Sequence, residues 1–541
     1  MSGQIKRSGP IFACAALLLV VIAVYAGTLS APFVFDDENF FSAPEMVSAN
    51  AQLHFAPRSL SYATLSWTVE WFGSEPFWLR LGNVLLHASN SIALFILLRR
   101  LFQIVLDEAH VENKRPGLDG LAWFGALVFA LHPVAVYCVA YVIQRSALMA
   151  TLFVLLMLIF YLEGLLRGGW RWMIAAAICY FAAVYSKEHS VMAPVVAMVL
   201  TLMVRKPSMA LLRQTAPYYL LIAAVIVVAV ALLMDRGVLG QAYEPNGLVM
   251  LEHFAKMHGL HGLESLSNLH ILSVLTQSAL FFKYLWLWLA PNPGWMSVDM
   301  REPFALDLLS WSYTPWLILF PVFMGGATWL LLKRGKSGLL GFALLFPGIM
   351  FFSEFSTVRI QEPFVLYRSY MWMPGLFAML PILIGWQKPA RAYVILGVTC
   401  LALLPLTLNR LHSFSSSLLI WDDAEKLIRN KPDAMGAERI YYNRGTELGK
   451  LHRYSEAIAD FDRAIAAHPF DYLYGNRATA YYFLGRYDEA LRDYDLAIAI
   501  NPRNPNSFQG RALTHIALGN SEGARSDFSR SCALGGACSN R

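Results

Sequence analysis

The stretch IFACAALLLVVIAVYAGTLSAPFVFDDENFF, residues 11–41, runs from a charge-free apolar segment into three adjacent carboxylates. Residues 11–30 hold no Asp, Glu, Lys or Arg, and about 20 such residues are enough to cross a bilayer's hydrocarbon core. The run is longer than a usual signal-peptide core, so the expectation is an uncleaved first helix with Lys6 and Arg7 on the cytoplasmic side. Asp36, Asp37 and Glu38 follow just where the chain leaves the membrane, between Val34-Phe35 and Phe40-Phe41. Acids in that place ask for a reason beyond solubility.

Working outward, the rest of the chain has the same character. It is 57% hydrophobic and 15% charged over 541 residues, where soluble domains carry about 25% charged residues. Apolar windows that make candidate spans recur at roughly 11–30, 80–101, 119–137, 146–165, 171–186, 190–204, 217–234, 271–290, 313–333, 338–353, 369–386 and 391–408. The expectation is an all-α polytopic membrane domain of eleven to thirteen spans. The net charge of +6 is scattered through short loops, a membrane-orientation bias rather than a nucleic-acid face. The basic connections 98–117, 205–214, 333–338 and 387–392 belong in the cytoplasm. Residues 31–79, 138–145, 187–189, 235–270, 291–312 and 354–368 then share the opposite face, with 31–79 as the first extracytoplasmic loop. One parity break remains, because 271–290 is apolar enough to span while both its flanks belong outside.

After residue 408 the sequence turns polar and repeats itself. NRGTELGKLHRYSEAIADFDRAIAAHP begins at Asn443, NRATAYYFLGRYDEALRDYDLAIAINP at Asn476, and GRALTHIALGNSEGARSDFSRSCALGG at Gly510. This pattern resembles the tetratricopeptide repeat, a pair of antiparallel helices stacked into an α-solenoid that commonly binds peptides. The expected division is a membrane domain over 1–410, a linker helix over 411–436 and about three repeats over 437–541. Cys14, Cys138, Cys179 and Cys400 sit in apolar segments and read as small hydrophobes. Cys532 and Cys538 lie in the polar tail, where an oxidising compartment would allow a disulfide.

The polar residues assigned to the outer face form a chemical set. Beside the acidic triplet lie His54, Arg58 and Glu70. Arg80, Asn83, His87 and Asn90 share one helix face. His132, Gln144, Arg145, Lys187, Glu188, His189, Gln277, Lys283, Glu354, Arg359, Glu362, Arg368 and Tyr370 complete the set. Ionisable groups at membrane depth cost about 2.5–3.5 kcal/mol each on insertion scales, so they default to functional candidates. Carboxylates take protons or bind hard cations, and Lys and Arg clamp phosphates. Together they suit sugar transfer from a lipid phosphate at the outer membrane face. No GxGxxG between strand and helix and no GxxxxGK[ST] is present, so no nucleotide cofactor is expected.

The acidic pair, LRLGNVLLHASN, ALVFALHPVAVYCVAYVIQRSALMATLFVLLMLIFY, YSKEHSVMAP, EPFVLYRSYMWMPG and the terminal repeats occur in an order similar to that of the transmembrane and tetratricopeptide-repeat O-mannosyltransferases and their bacterial relatives. The resemblance covers nearly the whole chain. It implies a GT-C fold, polyprenyl-phosphate-sugar donors, inverting transfer, and a catalytic acidic motif in the first outer loop. By position it makes Asp36 or Asp37 the base, since both Asp36-Asp37 and Asp37-Glu38 align with the family's acidic pair. It matches Lys187-Glu188 to the family's Lys-Glu pair and Arg368 to its arginine; Lys187, Arg368 and Arg145 are then expected on the donor phosphate, with Glu38, His87, Glu188, Glu354 and Glu362 in support. YMWMP is one residue longer than the family's usual spacing, which loosens the match at Tyr370. A divalent metal on Asp36 and Asp37 stays open. The partners so implied are the lipid-linked sugar, membrane lipid and a protein acceptor, of which a pilin-like protein is one kind, and no nucleic acid. The compartment is a bacterial inner membrane with site and repeats in the periplasm. The same fold also serves lipid or glycan acceptors, and a non-catalytic scaffold or transporter is the reading from another class.

Overall fold

The computed structural model describes residues 2–54, 56–106, 117–235, 248, 251–252, 269–385, 388–431 and 434–536. Among these no extended strand occurs, and the chain forms two compact units. The first comprises Met1–Met296 and Phe304–Ser416, the second Ser297–Pro303 and Ser417–Arg541. Parts of the connections 98–117, 235–270 and 387–392, and Cys538, lie outside the described residues.

The first unit is an integral-membrane helical bundle. Among the described residues eight helices are long and apolar enough to span: Gly9–Thr28, Pro76–Leu106, Val142–Arg167, Met209–Leu232, Leu269–Leu289, Thr314–Leu332, Gly335–Ser356 and Ala390–Ser413. A ninth is counted if Leu118–Ala130 and Pro133–Val139, bent by 62°, cross as one. The bend has a local cause. Pro133 brings no N–H to the first turn, and the His132 ring accepts from the Val134 amide at 3.3 Å as the N-cap.

The total falls below the eleven to thirteen expected, and the difference lies in three apolar runs. Trp170–Ser186 and Glu188–Val204 are shorter helices. Residues 369–386 do not form one span. They coil as 3-10 turns, Leu366–Met371 and Pro374–Met379, followed by the short helix Leu380–Ile384. The run is apolar because it is buried in protein rather than facing lipid: Tyr370, Trp372 and Met373 are fully enclosed. Gly375 lets it pack, since a Cβ there would lie 2.2 Å from the Phe346 ring.

Hydropathy does not separate inner from outer spans, but burial does. Pro76–Leu106, Val142–Arg167, Leu269–Leu289 and Gly335–Ser356 are 61–78% buried across their apolar windows, and the other four spans only 17–28%. The outer four present apolar side chains, such as Leu19, Leu220 and Leu401, to the surroundings, as lipid-facing helices do.

The second unit holds the helices Ser417–Ile428, Ala437–Lys450, Tyr454–Ala467, Asp471–Phe483, Tyr487–Ile500, Pro505–Ala517 and Ser521–Ala533. Its sequence period reappears as an ion-pair ladder. Arg477 reaches Asp493 of its own repeat at 2.7 Å and Asp462 of the preceding repeat at 2.6 Å. Arg511 repeats this with Asp527 at 2.7 Å and Asp495 at 2.6 Å. Arg444 does the same with Asp460 at 3.2 Å and Asp422 at 2.7 Å. Asp422 lies on Ser417–Ile428, so the segment expected as a linker acts as a half-repeat that caps the stack, its Leu418 packing with Leu448, Ala457 and Phe461. Burial pushes the Asp460 carboxyl up to about 6, against the lowering by Arg444 and Arg463.

Candidate active site

The acidic triplet forms the short helix Asp36–Phe41. Its aromatic flanks are its anchors: Phe40 and Phe41 pack with Val47, Leu65, Leu79 and Val142 in a buried cluster. Phe35, just before it, has φ of 60°, a region that a bulky side chain rarely enters and that costs about 1–3 kcal/mol.

The two aspartates point in different directions. Asp37 is fully buried, and its two oxygens accept from the Val142 amide at 3.0 Å and the Ile143 amide at 2.8 Å. Burial pushes its carboxyl up to about 7, while the two amides and nearby Arg80 pull it down. Asp36 is exposed. Its Oδ2 accepts from the Tyr141 hydroxyl at 2.9 Å, and its own amide donates back to that hydroxyl at 3.3 Å. Glu38 is also exposed.

The segment 140–144, between the helix Pro133–Val139 and the α-helix that starts at Arg145 and including the 3-10 turn that opens the third span, therefore receives the loop. The polar stripe on Pro76–Leu106 braces it. Arg80 donates to the carbonyls of Ala31, of Pro32 at 2.5 Å and of Ala140 at 3.1 Å. Asn83 Nδ2 donates to Val139 at 3.3 Å and Val142 at 3.1 Å. Lower on the stripe, His87 and Asn90 serve a different purpose. Tyr370 Oη lies 2.7 Å from His87 Nδ1 and 3.1 Å from Asn90 Nδ2, all buried. His87 and Tyr370 are thus parts of a core network, apart from the acidic loop.

The far end of the same turn meets the cations. Lys187 Nζ donates to Gln144 Oε1 at 3.2 Å and lies 5.4 Å from the Tyr367 ring centroid. Tyr367 also meets Tyr141 in an edge-to-face contact, with centroids 5.9 Å apart. Around Lys187 stand Arg58, Arg359 and Arg368 with Glu188, Glu354 and Glu362. Arg58 holds Glu188 through two bonds, at 3.0 and 2.5 Å. Glu354 lies 3.5 Å from Arg359, 3.4 Å from Arg368 and 3.0 Å from His189. Arg368 also donates to the Glu362 carbonyl at 3.0 Å. Leaving His189 aside, four cations against three carboxylates carry one net positive charge. Burial, with Arg58 as the next cause, lowers the Lys187 ammonium to about 8.

Arg145, expected on the phosphate, is occupied elsewhere. It donates to Asn83 Oδ1 at 3.1 Å, the Thr64 carbonyl at 2.8 Å, Thr68 Oγ1 at 2.9 Å and the Leu79 carbonyl at 2.8 Å. Four of a guanidinium's five N–H groups thus tie three segments together, which makes Arg145 a staple. Arg58, Arg359 and Tyr367 join the cluster more centrally than their loop positions imply. Arg58 carries a local mark, a left-handed φ of 64°, which sequence does not reveal. Tyr141 has no sequence signal beyond its place in a break between apolar runs. His54 and Glu70 are exposed outside this cluster. Among the described residues no three His, Cys, Asp or Glu side chains converge as a metal ion's ligands would. Beside Glu188 an apolar cavity of about 220 Å³ is lined by Pro57, Phe181, Tyr185, Val191 and Val225.

Tetratricopeptide-repeat family models match residues 438–470 and 472–504. No curated protein sequence matches the chain. Among solved structures, the first tetratricopeptide domain of Spaghetti bound to an HSP90 peptide is 29% identical, covering 18% of this chain and 79% of its own at a TM-score of 0.18. MamA is 19% identical, covering 24% of this chain and 74% of its own at a TM-score of 0.22. ArnT from Cupriavidus metallidurans, solved with undecaprenyl phosphate, is 15% identical and covers 91% of this chain and 80% of its own at a TM-score of 0.37. This protein is a helical integral-membrane protein that carries tetratricopeptide repeats at its C-terminal end.

Proposed function

We propose that the protein is an inverting glycosyltransferase that moves a sugar from a polyprenyl phosphate to a Ser or Thr hydroxyl of an extracytoplasmic protein. The observation that carries the reading is the 141–144 turn, which holds an exposed carboxylate at one end and a buried lysine at the other. In this mechanism Asp36 takes the proton of the acceptor hydroxyl as its oxygen attacks the anomeric carbon. The bond from that carbon to the phosphate oxygen breaks, and Lys187 with Arg368, Arg359 and Arg58 receives the phosphate's charge. Glu188, Glu354 and Glu362 hold those cations apart and in place before the donor arrives. Asp37 keeps the loop seated. The apolar cavity beside Glu188 suits part of an isoprenoid chain. A divalent cation would act through Asp36, whose carboxylate is exposed while that of Asp37 is fully buried. The repeats recruit the acceptor, and a periplasmic site on a bacterial inner membrane accommodates a pilin-like protein.

The test is transfer by the purified chain in lipid. Polyprenyl-phosphate sugar and extracytoplasmic protein extract are supplied, and products are read by mass spectrometry with and without chelator. Sugar on Ser or Thr, lost in Asp36→Asn, is expected. Sugar appearing only on lipid or glycan would move the acceptor class. Unchanged transfer in both Asp36→Asn and Asp37→Asn would overturn the reading.

A further inference from the structure

The Tyr141 hydroxyl makes two bonds to one residue. It donates to Asp36 Oδ2 at 2.9 Å and accepts from the Asp36 amide at 3.3 Å. Asp36 opens its helix, where the first amides have no partner within the helix. Tyr141 supplies that partner and, with the same oxygen, sets the direction of the carboxylate. The helix follows directly on Phe35 at φ of 60°, so something outside it must hold it in this conformation.

Tyr141 is itself immobile. Its ring is fully buried between Phe35 and Tyr367, with centroids 5.8 and 5.9 Å away. Its carbonyl accepts from Asn83 at 3.5 Å, and its neighbours are held by Arg80 at Ala140 and by Asp37 at Val142. The titratable and charged groups around Asp36 include Asp37 and Glu38 on its own helix, Tyr141 from the turn and Tyr367, while Arg80 from the second span acts on the adjacent Asp37. Burial and the adjacent carboxylates push the Tyr141 phenol well above its ordinary value, so the hydroxyl keeps its proton and acts as a donor.

We infer that Tyr141 is a positioning residue for the transfer reaction: it orients the Asp36 carboxylate toward the acceptor hydroxyl and fixes how strongly that carboxylate holds a proton. This rests on the reading of Asp36 as the base. Tyr367 extends the arrangement, because its ring contacts both Tyr141 and Lys187. Base and phosphate-binding cation are thus linked through two phenols that meet edge to face.

The test compares Tyr141→Phe with 3-fluorotyrosine at position 141, both in the full-length protein in lipid. The Phe variant keeps the ring and loses the donor. The fluorinated residue keeps the ring and donates more strongly. A carboxylate that loses a donor holds its proton more tightly. In Tyr141→Phe the acidic limb of the pH–rate profile moves up by about one unit and kcat falls about tenfold, with the donor KM little changed. With 3-fluorotyrosine the same limb moves down. Acidic limbs unchanged in both variants, while Asp36→Asn still abolishes transfer, would overturn the role of Tyr141 and leave the glycosyltransferase reading intact. Transfer unaffected by Asp36→Asn would instead remove Asp36 as the base, and the role of Tyr141 with it, whatever the glycosyltransferase reading. If the Phe variant fails to reach the membrane, the fluorinated residue decides alone by the direction of its shift.

Discussion

Replacing Asp36 and Asp37 separately by Asn should give two different failures. Asp37→Asn keeps the volume but exchanges one accepting oxygen for an NH2 group. That group would face a backbone N–H, since both Asp37 oxygens now accept from Val142 and Ile143 at 3.0 and 2.8 Å. One charge-assisted bond is lost, worth about 1.5–3 kcal/mol, and one buried amide is left unpaired, at about 1–3 kcal/mol. Together these amount to roughly 3–5 kcal/mol of docking free energy, enough to release a loop that also carries strain at Phe35. Asp36→Asn leaves that seat untouched and removes the proton acceptor, which costs about 10²–10⁴-fold in turnover. The assay pairs single-turnover transfer with limited proteolysis and hydrogen exchange over residues 31–79. Asp36→Asn should be slow with a protected loop, and Asp37→Asn slow with an exposed one. A protected loop and inactive enzyme in Asp37→Asn, beside wild-type turnover in Asp36→Asn, would refute the assignment and make Asp37 the base.

Other outcomes follow from the same geometry. Lys187 is charged below about 8, so donor binding should weaken as pH rises through that value, and Lys187→Arg should move this alkaline limb upward; a limb unchanged by the substitution would dissociate it from Lys187. Arg145→Met should lower the protein's thermal stability in detergent by removing four hydrogen bonds while the donor dissociation constant of the folded fraction stays put. Arg477→Ala should destabilise the repeat unit by about 2–4 kcal/mol, because it strands the nearly buried Asp493 beside Asp462. Hydrogen exchange of full-length protein would show this as faster exchange across residues 471–500, with the membrane spans unchanged.

Much of the candidate site stands out without coordinates, because charge at membrane depth is costly and therefore sparse. The acidic loop, Lys187, Glu188, Glu354, Glu362 and Arg368 stand out on that ground alone. Arg145 stood out equally and is a staple, since burial cost marks a buried charge without telling what satisfies it. His87 follows the same logic, its partners being Tyr370 and the Ala130 carbonyl. Run 369–386 was misjudged as a span because hydropathy measures transfer from water and cannot tell lipid from protein interior. Tyr141 carries no charge and lies in no periodic pattern, so nothing in composition singles it out.

The amino-acid sequence by itself determined the all-helical membrane character, the acidic triplet directly after the first span, and the two repeats whose 33-residue period survives as Arg–Asp pairs. These are local or periodic properties, set by side-chain transfer energies and helix geometry that each segment carries with it. Only the tertiary structure decided which aspartate is seated and which is presented. That choice depends on two amides and a phenol more than a hundred residues away, brought beside the loop when the second and bent spans pack together. Hydrogen bonds act over about 3 Å, and sequence distance says nothing about who lies within that range.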